Sequence, residues 1–269
     1  MSRGKVANVA ASVRQRLFNL ARERGEDFQY VLTRYGLERL LYRLSRSEHA
    51  SGFILKGAAL FQLWTNQPHR PTRDLDLLGC GDPAPERFEP LWRDVCTTNV
   101  DDDGMEFDPD SVTAEQIKEE DEYQGIRTRL VGRLQSARVP LQIDIGFGDA
   151  ITPGTHAVSY PTLLELPAPT IQAYPQETVI AEKYQAMVVL GIANSRMKDF
   201  YDLWTLARQF PYDGATVCQA ISATFARRQT ELPASAPLAL TDEFSADVRK
   251  QTQWRAFLSK GRLADPRLE

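Results

Sequence analysis

The pattern of apolar and polar positions predicts two helices at the start of the chain and a compact strand, helix and strand after them. Apolar residues recur every three or four positions over 6–24, which predicts a first helix. Gly25 ends this helix, and Asp27 starts a second one with a leucine-rich buried side. The segment 53–78 follows and carries the clearest pattern in the chain.

Segment 53–78 reads as a short apolar strand, a turn at Lys56 and Gly57, a helix rich in Ala and Leu, and a second strand that carries Asp74 and Asp76. Successive side chains of a strand point to opposite faces of the sheet. Asp74 and Asp76 therefore share one face, and the leucines between and after them turn inward. The sequence predicts two carboxylates a few ångströms apart.

Two carboxylates held together repel each other, and a divalent cation removes that repulsion. Carboxylate oxygens suit Mg²⁺, whose coordination shell substrate phosphates often complete. A glycine turn before a helix lets phosphate approach backbone N–H groups, and Lys56 would add a positive charge there. A lone Asp-x-Asp is also common at a solvated strand edge, so the metal interpretation depends on the glycine turn and on the motifs further along the chain.

The middle of the chain predicts further β structure. The elements expected there are a helix over 85–97, a short strand at 105–107, and a hairpin with arms at 126–131 and 139–145. The acidic stretches 101–110 and 115–122 are interpreted as solvated loops. Asp144 lies on the polar face of the second hairpin arm, where it would complete a three-acid metal site if that arm lies beside the strand of Asp74. The sequence alone leaves this pairing open.

The proline-rich stretch 152–175 marks the best boundary between lobes, and it predicts domains at 1–160 and 161–269. Helices are expected over 176–190, which contains Lys183, and directly after Arg196. The second of these helices places Asp199 and Asp202 on one side. Spacing alone favours an ion pair within that helix, such as Lys198 with Asp202.

Composition adds less. The 269 residues are 42% hydrophobic and 25% charged with a net charge of −4, as in an ordinary globular protein. Residues 1–48 contain ten Lys or Arg against five acids, and the C-terminal stretch is also basic. Such ends are either solvated helix faces or a groove for a polyanion. The three cysteines are far apart in sequence, the N-terminus is too polar for a secretory signal, and no apolar run reaches membrane-spanning length, so a cytoplasmic protein without membrane contact is expected.

Taken together, the motifs resemble the AbiEii family of nucleotidyltransferase toxins over roughly residues 50–205. The resemblance is carried, in chain order, by Lys56-Gly57, Arg70-Pro-Thr72-Arg73-Asp74-Leu-Asp76, Gln142-Ile-Asp144-Ile-Gly146, Glu182-Lys183, and Arg196-x-Lys198-Asp199-x-Tyr201-Asp202-Leu203. It implies an α+β (α/β) fold of the DNA polymerase β type, with a mixed central sheet flanked by helices and a helical C-terminal lobe. Members are toxin halves of bacterial toxin–antitoxin pairs of type IV, and some add nucleotides from an NTP to the acceptor end of tRNA.

The resemblance also implies roles for individual residues. Asp74, Asp76 and Asp144 would bind two Mg²⁺ ions. Catalytic roles would fall to these three acids together with Lys183, Asp199 and Asp202. Nucleotide-binding roles would fall to Lys56, Gly57, Ala58, Arg70, Thr72, Arg73, Lys183 and Lys198. Ala58 departs from the Gly-Ser or Gly-Gly turn of the family, which removes any hydroxyl contact to phosphate and leaves backbone N–H donation.

The function expected on these grounds is metal-dependent transfer of a nucleoside monophosphate from an NTP to an acceptor hydroxyl, at the 3′ end of tRNA or another RNA. The transfer would inhibit translation and growth, and a cognate antitoxin would be encoded nearby. In this mechanism Asp144 binds the ion nearest the hydroxyl and assists its deprotonation, and Lys183 neutralises the β- and γ-phosphates. Three alternatives stay open: modification of a protein or small molecule, kinase-like transfer, and a non-catalytic nucleotide- or RNA-binding regulator on the same scaffold.

Overall fold

The computed structural model describes residues 8–65, 69–119 and 123–263, without the side chains of residues 118, 119, 123 and 124. The described residues form two compact units. Unit 1 comprises those up to Gly148 together with Ala157–Ala173, and unit 2 comprises Asp149–His156 and those from Tyr174 onward. Residues 6 and 7 of the predicted first helix and 120–122 of the predicted acidic loop lie outside the described residues.

Unit 1 contains four helices among its described residues, and the first two begin at capping side chains. Their bounds are α1 (Val9–Arg24), α2 (Phe28–Arg46), α3 (Ala59–Thr65) and α4 (Phe88–Thr97). The side chains of Asn8 and Asp27 accept hydrogen bonds from backbone N–H groups in the first turns of α1 and α2. Gly25 closes α1 in the left-handed conformation, with φ of 64°. The predicted end of α1 at Gly25 and the predicted start of α2 at Asp27 are therefore confirmed.

The strands of the described residues form one mixed seven-stranded sheet in the order β3-β4-β5-β2-β1-β7-β6. Their bounds are β1 (Phe53–Lys56), β2 (Asp74–Gly79), β3 (Met105–Glu119), β4 (Tyr123–Leu134), β5 (Ala137–Phe147), β6 (His156–Ser159) and β7 (Thr170–Ala173). β2 runs antiparallel to β1 and parallel to β5, and β4 runs antiparallel to both β3 and β5. The fold class expected from the sequence, a mixed central sheet flanked by helices, is confirmed.

Helix α2 packs on one face of this sheet. A Cβ atom on Gly36 of α2 would lie 3.0 Å from the Leu141 side chain of β5, so the helix backbone approaches the strand closely. Leu75 and Ile143 are buried, and they are paired across β2 and β5. Because side chains alternate along a strand, Asp74 and Asp144 lie on the other face.

The sequence-based interpretation of the acidic stretches as loops is wrong for most of their length. β3 extends from Met105 to Glu119, where only a short strand at 105–107 was expected. Its acidic side chains pair with arginines of β4, as Glu115 does with Arg129 at 2.5 Å. Alternating acids on an exposed strand face resemble a loop in sequence, because their partners lie on another strand.

Two short strands were missed in the proline-rich stretch, β6 and β7. β7 pairs with β1 in parallel, which places Ala157–Ala173 in unit 1. The boundary predicted at residue 160 therefore lies inside Ala157–Ala173, which belongs to unit 1.

Three arginines of α2, Arg34, Arg39 and Arg43, are buried and form neither a solvated nor a polyanion-binding face. The exposed arginines of α1 and α2 leave both accounts of the basic N-terminal region open. Arg43 is buried and donates two hydrogen bonds to the carboxylate of Asp103, at 2.8 and 3.1 Å. Arg39 has no exposed surface and lies 2.8 Å from Oε1 of Glu38. Arg43 thus ties α2 to the segment before β3. Arg39 ties it to the segment before β7, because it donates to the carbonyl of Pro167 at 3.0 Å. Arginines of α1 and the end of α2 that remain exposed include Arg14, Arg16, Arg22, Arg24 and Arg46.

Unit 2 is helical apart from its connecting segments. The helices are α5 (Gln176–Leu190), α6 (Met197–Gln209), α7 (Gly214–Arg227), α8 (Asp242–Ala246) and α9 (Val248–Gly261). Met187 and Met197 form a buried cluster with Ala239 and Phe244, against which Trp254 packs. Within the described ranges, none of the helices has the length and apolar character needed to cross a bilayer.

Candidate active site

Three carboxylates converge on the sheet face opposite α2. Asp76 of β2 is the direct neighbour of Asp144 in the parallel pairing with β5, and Asp74 lies two residues before Asp76 on the same face. Each residue offers a carboxylate oxygen, and these three oxygens lie within 4.8 Å of one another. The strand pairing that the sequence left open is therefore present.

Gly57 makes room for one of these carboxylates. It has φ of +72°, a conformation that side-chain-bearing residues rarely adopt. A Cβ atom on residue 57 would lie 2.5 Å from Cγ of Asp76 and closer still to its Oδ2. The glycine of the turn is thus required by the position of Asp76, besides any part it plays for phosphate.

Asp74 is held from the segment before β2. The hydroxyl of Thr72 donates a hydrogen bond of 2.6 Å to Oδ1 of Asp74. Thr72 and Asp74 line a pocket in unit 1, together with Ala58 and Arg70. Four residues of the predicted site thereby border one concave space, whereas Arg73 is exposed and is not among the residues that line it.

The buried Glu38 of α2 also lines this pocket. Burial raises the pKa of this carboxyl to about 7, although the charge of Arg39 and the N–H of Leu163 lower it. The N–H of Leu163 donates to Oε2 of Glu38 at 2.7 Å. Glu38 therefore ties α2 to the segment before β7.

Asp144 is held by a forked pair of hydrogen bonds. Nε of Arg127 on β4 donates to Oδ1 at 2.8 Å, and a terminal nitrogen of the same guanidinium donates to Oδ2 at 2.7 Å. The amide of Gln142 donates to Oδ2 at 3.2 Å. The hydrogen bonds from Arg127 to Asp144 raise the pKa of Arg127 above its ordinary value, although burial lowers it.

The register of the sheet places five charged residues in one line across five strands. In spatial order they are Glu115, Arg127, Asp144, Asp76 and Lys56. Neighbouring strands lie about 4.8 Å apart, so each charge is close to the next. The sign of the charge alternates along this line except between Asp144 and Asp76, which are adjacent carboxylates.

The three acids fit a divalent cation. Their donors are all hard oxygens, the set that Mg²⁺ prefers. The repulsion between Asp144 and Asp76 falls at the one position in the line where an added positive charge would restore the alternation. A side chain at residue 57 would collide with the Asp76 carboxylate, and Gly57 avoids that collision.

A second group of predicted residues lies in unit 2. Nζ of Lys183 on α5 stands 2.6 Å from Oδ1 of Asp199 and 2.9 Å from Oδ2 of Asp202, both on α6. The two aspartates have no exposed surface, and the Lys183 side chain retains 14%. The ammonium group thus joins two helices through two buried carboxylates.

Among the described residues, the ion pair predicted within this helix does not join Lys198 to Asp202. Asp202 is buried against Lys183, whereas Lys198 is exposed. An ion pair within the helix segment does occur, between Nε of Arg196 and Oδ2 of Asp199 at 2.8 Å. Helical spacing correctly places the two aspartates on one side, but it cannot show that this side faces α5.

Burial alone would raise the pKa of Asp199, because it disfavours the charged form. The charges of Lys183 and Arg196 and the hydrogen bond from Lys183 outweigh burial. The pKa of Asp199 therefore lies below its ordinary value, and the carboxylate is ionised at neutral pH.

Arg127 was not singled out from the sequence, although a signal was available. It alternates with the buried Ile126 and Thr128, which places it on the face of Asp144. Counting outwards along both arms from the turn of the hairpin brings Arg127 opposite Asp144. The position of the turn thus contained the information, provided that its length was known.

A mixed sheet flanked by helices, with paired acids on neighbouring strands, is the arrangement that the resemblance to nucleotidyltransferases predicts. The family model for the nucleotidyl transferase AbiEii toxin of type IV toxin–antitoxin systems matches residues 39–268. The chain belongs to this family. The resemblance inferred from the motifs is therefore confirmed.

Two solved structures from Helicobacter pylori are similar to this chain. One is a protein described provisionally as a nucleotidyltransferase, with 14% identity, coverage of 90% of this chain and 99% of its own, and a TM-score of 0.47. The other is JHP933, with 15% identity, coverage of 88% and 94%, and a TM-score of 0.46. No curated protein sequence matches the chain.

Proposed function

We propose that this protein is a metal-dependent nucleotidyltransferase that moves a nucleoside monophosphate from an NTP to an acceptor hydroxyl, at the 3′ end of tRNA, and thereby inhibits translation and growth. The observation that carries the proposal is the convergence of Asp74, Asp76 and Asp144 within 4.8 Å on one sheet face. Membership in a family of nucleotidyl transferase toxins supports the reaction class and an antitoxin partner.

The reaction joins the acceptor oxygen to the α-phosphorus of the NTP. The bond between that phosphorus and the oxygen bridging to the β-phosphate breaks, pyrophosphate leaves, and the hydroxyl proton passes to solvent. Asp74, Asp76 and Asp144 would hold Mg²⁺, which supplies a Lewis acid for the phosphate oxygens.

The residues of the chain hold and orient the reactants in this proposal. Thr72 orients the Asp74 carboxylate, and Gly57 leaves the space that the Asp76 carboxylate occupies. Lys56, Arg70 and Arg73 would contribute positive charge to NTP binding, as would Lys183 and Lys198, and the backbone at Ala58 would donate N–H groups to phosphate.

Lys183 is the residue proposed to neutralise the charge that develops on the β- and γ-phosphates. In the structure, its ammonium group is fixed by Asp199 and Asp202. A fixed cation needs no reorganisation when charge develops, which is how preorganised groups stabilise a transition state. Asp199 and Asp202 therefore serve as positioning residues for Lys183 in this proposal.

Labelled nucleotides test the proposal and separate it from its alternatives. The purified protein is incubated with each NTP carrying ³²P at the α- or the γ-position, together with separate pools of tRNA, protein and small metabolites. We expect α-label, and no γ-label, at the 3′ end of tRNA, and we expect Asp76→Asn to abolish it while the thermal unfolding midpoint stays near that of the parent.

Other label patterns would contradict the proposal. Label from the γ-position would show kinase-like transfer, and α-label in the protein or metabolite pool would show a different acceptor. Incorporation that persists in Asp74→Ala and in Asp76→Asn would remove the role of the acid pair. Binding of NTP with no incorporation in any pool would indicate a non-catalytic regulator.

A further inference from the structure

The contacts of Asp144 leave little of its carboxylate for a metal ion. A carboxylate has about four lone-pair positions, two on each oxygen. Among the described residues, Arg127 takes one position on each oxygen and Gln142 takes a second on Oδ2. One position then remains, on Oδ1.

We propose that Arg127 is a positioning residue that presents Asp144 to the metal ion through one oxygen and at the same time limits how tightly the acid cluster binds that ion. The proposal rests on the metal site of the proposed function. It adds a residue of β4 that acts through Asp144.

The geometry of the β4–β5 pair supports the first part of the proposal, that Arg127 positions the Asp144 carboxylate. Arg127 and Asp144 are directly opposite each other in the antiparallel β4–β5 pair, so the two side chains reach each other without a bend in either strand. A planar guanidinium that donates two parallel hydrogen bonds fixes a carboxylate in both direction and rotation. A lysine at the same position would keep the charge and lose the fork.

The charge of Arg127 supports the second part of the proposal, that this residue limits how tightly the acid cluster binds the metal ion. The guanidinium of Arg127 contacts the same carboxylate that would bind the cation, so it repels a divalent ion at short range. A unit charge a few ångströms away changes the binding of another charge about fivefold even at the dielectric constant of water, and more for a divalent ion. The Arg127 side chain is 30% exposed, and this effect is therefore expected to be modest.

Arg129 provides a matched control. It lies two residues further along β4, on the same face of the sheet, and it pairs with Glu115 at 2.5 Å. It makes no hydrogen bond to Asp144 among the described residues. Arg129→Gln therefore removes the same charge from the same strand without releasing the Asp144 carboxylate.

The test measures Mn²⁺ binding by electron paramagnetic resonance of the free ion, in the full-length protein without NTP or acceptor. We expect Arg127→Gln to bind Mn²⁺ about fivefold more tightly than the parent. Arg127→Lys and Arg129→Gln should bind it with nearly the parent dissociation constant. In transfer assays, Arg127→Gln and Arg127→Lys should both lose about tenfold or more in kcat.

An effect on folding alone would weaken Mn²⁺ binding, so tighter binding is the diagnostic result. Unchanged or weaker Mn²⁺ binding in Arg127→Gln, in protein whose unfolding midpoint is near that of the parent, would overturn the role of Arg127. Equal Mn²⁺ binding by the parent and by Asp76→Asn would instead overturn the metal site itself, and with it the proposed function and this inference.

Discussion

Gly57 and Asp76 are in direct contact across the β1–β2 pair, so that a Cβ atom on residue 57 would lie 2.5 Å from Cγ of Asp76. Residue 57 is therefore subject to two separate constraints. One is its φ of +72°, and the other is the space taken by the Asp76 carboxylate. Gly25 has a similar φ of +64° but nothing within 4 Å of the position of its missing Cβ. Comparing these two glycines separates backbone strain from displacement of the carboxylate.

Gly57→Ala is expected to lower transfer activity about 100-fold, because a displacement of about 1 Å at a catalytic carboxylate can cost that much. It should also weaken Mn²⁺ binding. Gly25→Ala should cost about 1–2 kcal/mol in the free energy of unfolding, from the left-handed backbone alone, with activity retained. Kinetics and urea unfolding of both variants measure these effects. Equal activity in the two variants would show that the contact with Asp76 has no functional consequence.

The segments on either side of this contact show which features could be predicted from the sequence and which could not. The β1-turn-α3-β2 order and the 176–190 helix were predicted correctly, because periodicity and the glycine turn are local signals. The convergence of Asp144 with Asp76 depends on which strand lies beside β2, and only the folded sheet shows that. The partners of Lys183 depend likewise on which side of α6 faces α5. Pairings between elements are properties of tertiary packing, and local spacing does not determine them.

The hydroxyl of Thr72 gives a second prediction, because its 2.6 Å hydrogen bond restrains Asp74. Thr72→Val keeps the size and β-branching of the side chain and removes the donor. We expect its transfer activity to fall about 10- to 100-fold, the usual effect of removing a hydrogen bond that orients a metal-binding carboxylate. Thr72→Ser keeps the hydroxyl and should retain most of the activity. If valine is as active as serine, Asp74 does not depend on this hydrogen bond.

Lys183 gives a prediction about stability that bears on any activity assay of its variants. Lys183→Met leaves Asp199 and Asp202 as buried carboxylates without their shared cation, which should cost about 3–5 kcal/mol in the free energy of unfolding. The exposed Lys198 provides the control, and Lys198→Met should change the stability by less than about 0.5 kcal/mol.

Urea unfolding of the Lys183→Met protein and of its double variant with Asp202→Asn measures this coupling. The second substitution removes one of the two buried negative charges, so it should restore part of the lost stability. A double variant less stable than Lys183→Met by the full cost of Asp202→Asn alone would show that the two residues are energetically independent.

Acidification should weaken unit 2 through Asp199. Its pKa in the folded protein is lower than in the unfolded chain, where it is about 3.9. A carboxyl group with a depressed folded pKa adds stability that is present above about pH 4 and is lost as the pH falls through the folded value. Asp199→Asn removes this contribution, and its cost should be about 3 kcal/mol or more at pH 7. The cost should therefore shrink as the pH is lowered below about 4.

Urea unfolding of the parent and of Asp199→Asn from pH 7 to pH 3 measures this cost, and Asp242→Asn, at an exposed position, is the control. A cost that is the same at pH 3 as at pH 7 would show that the ionised carboxylate of Asp199 is not what Lys183 and Arg196 stabilise.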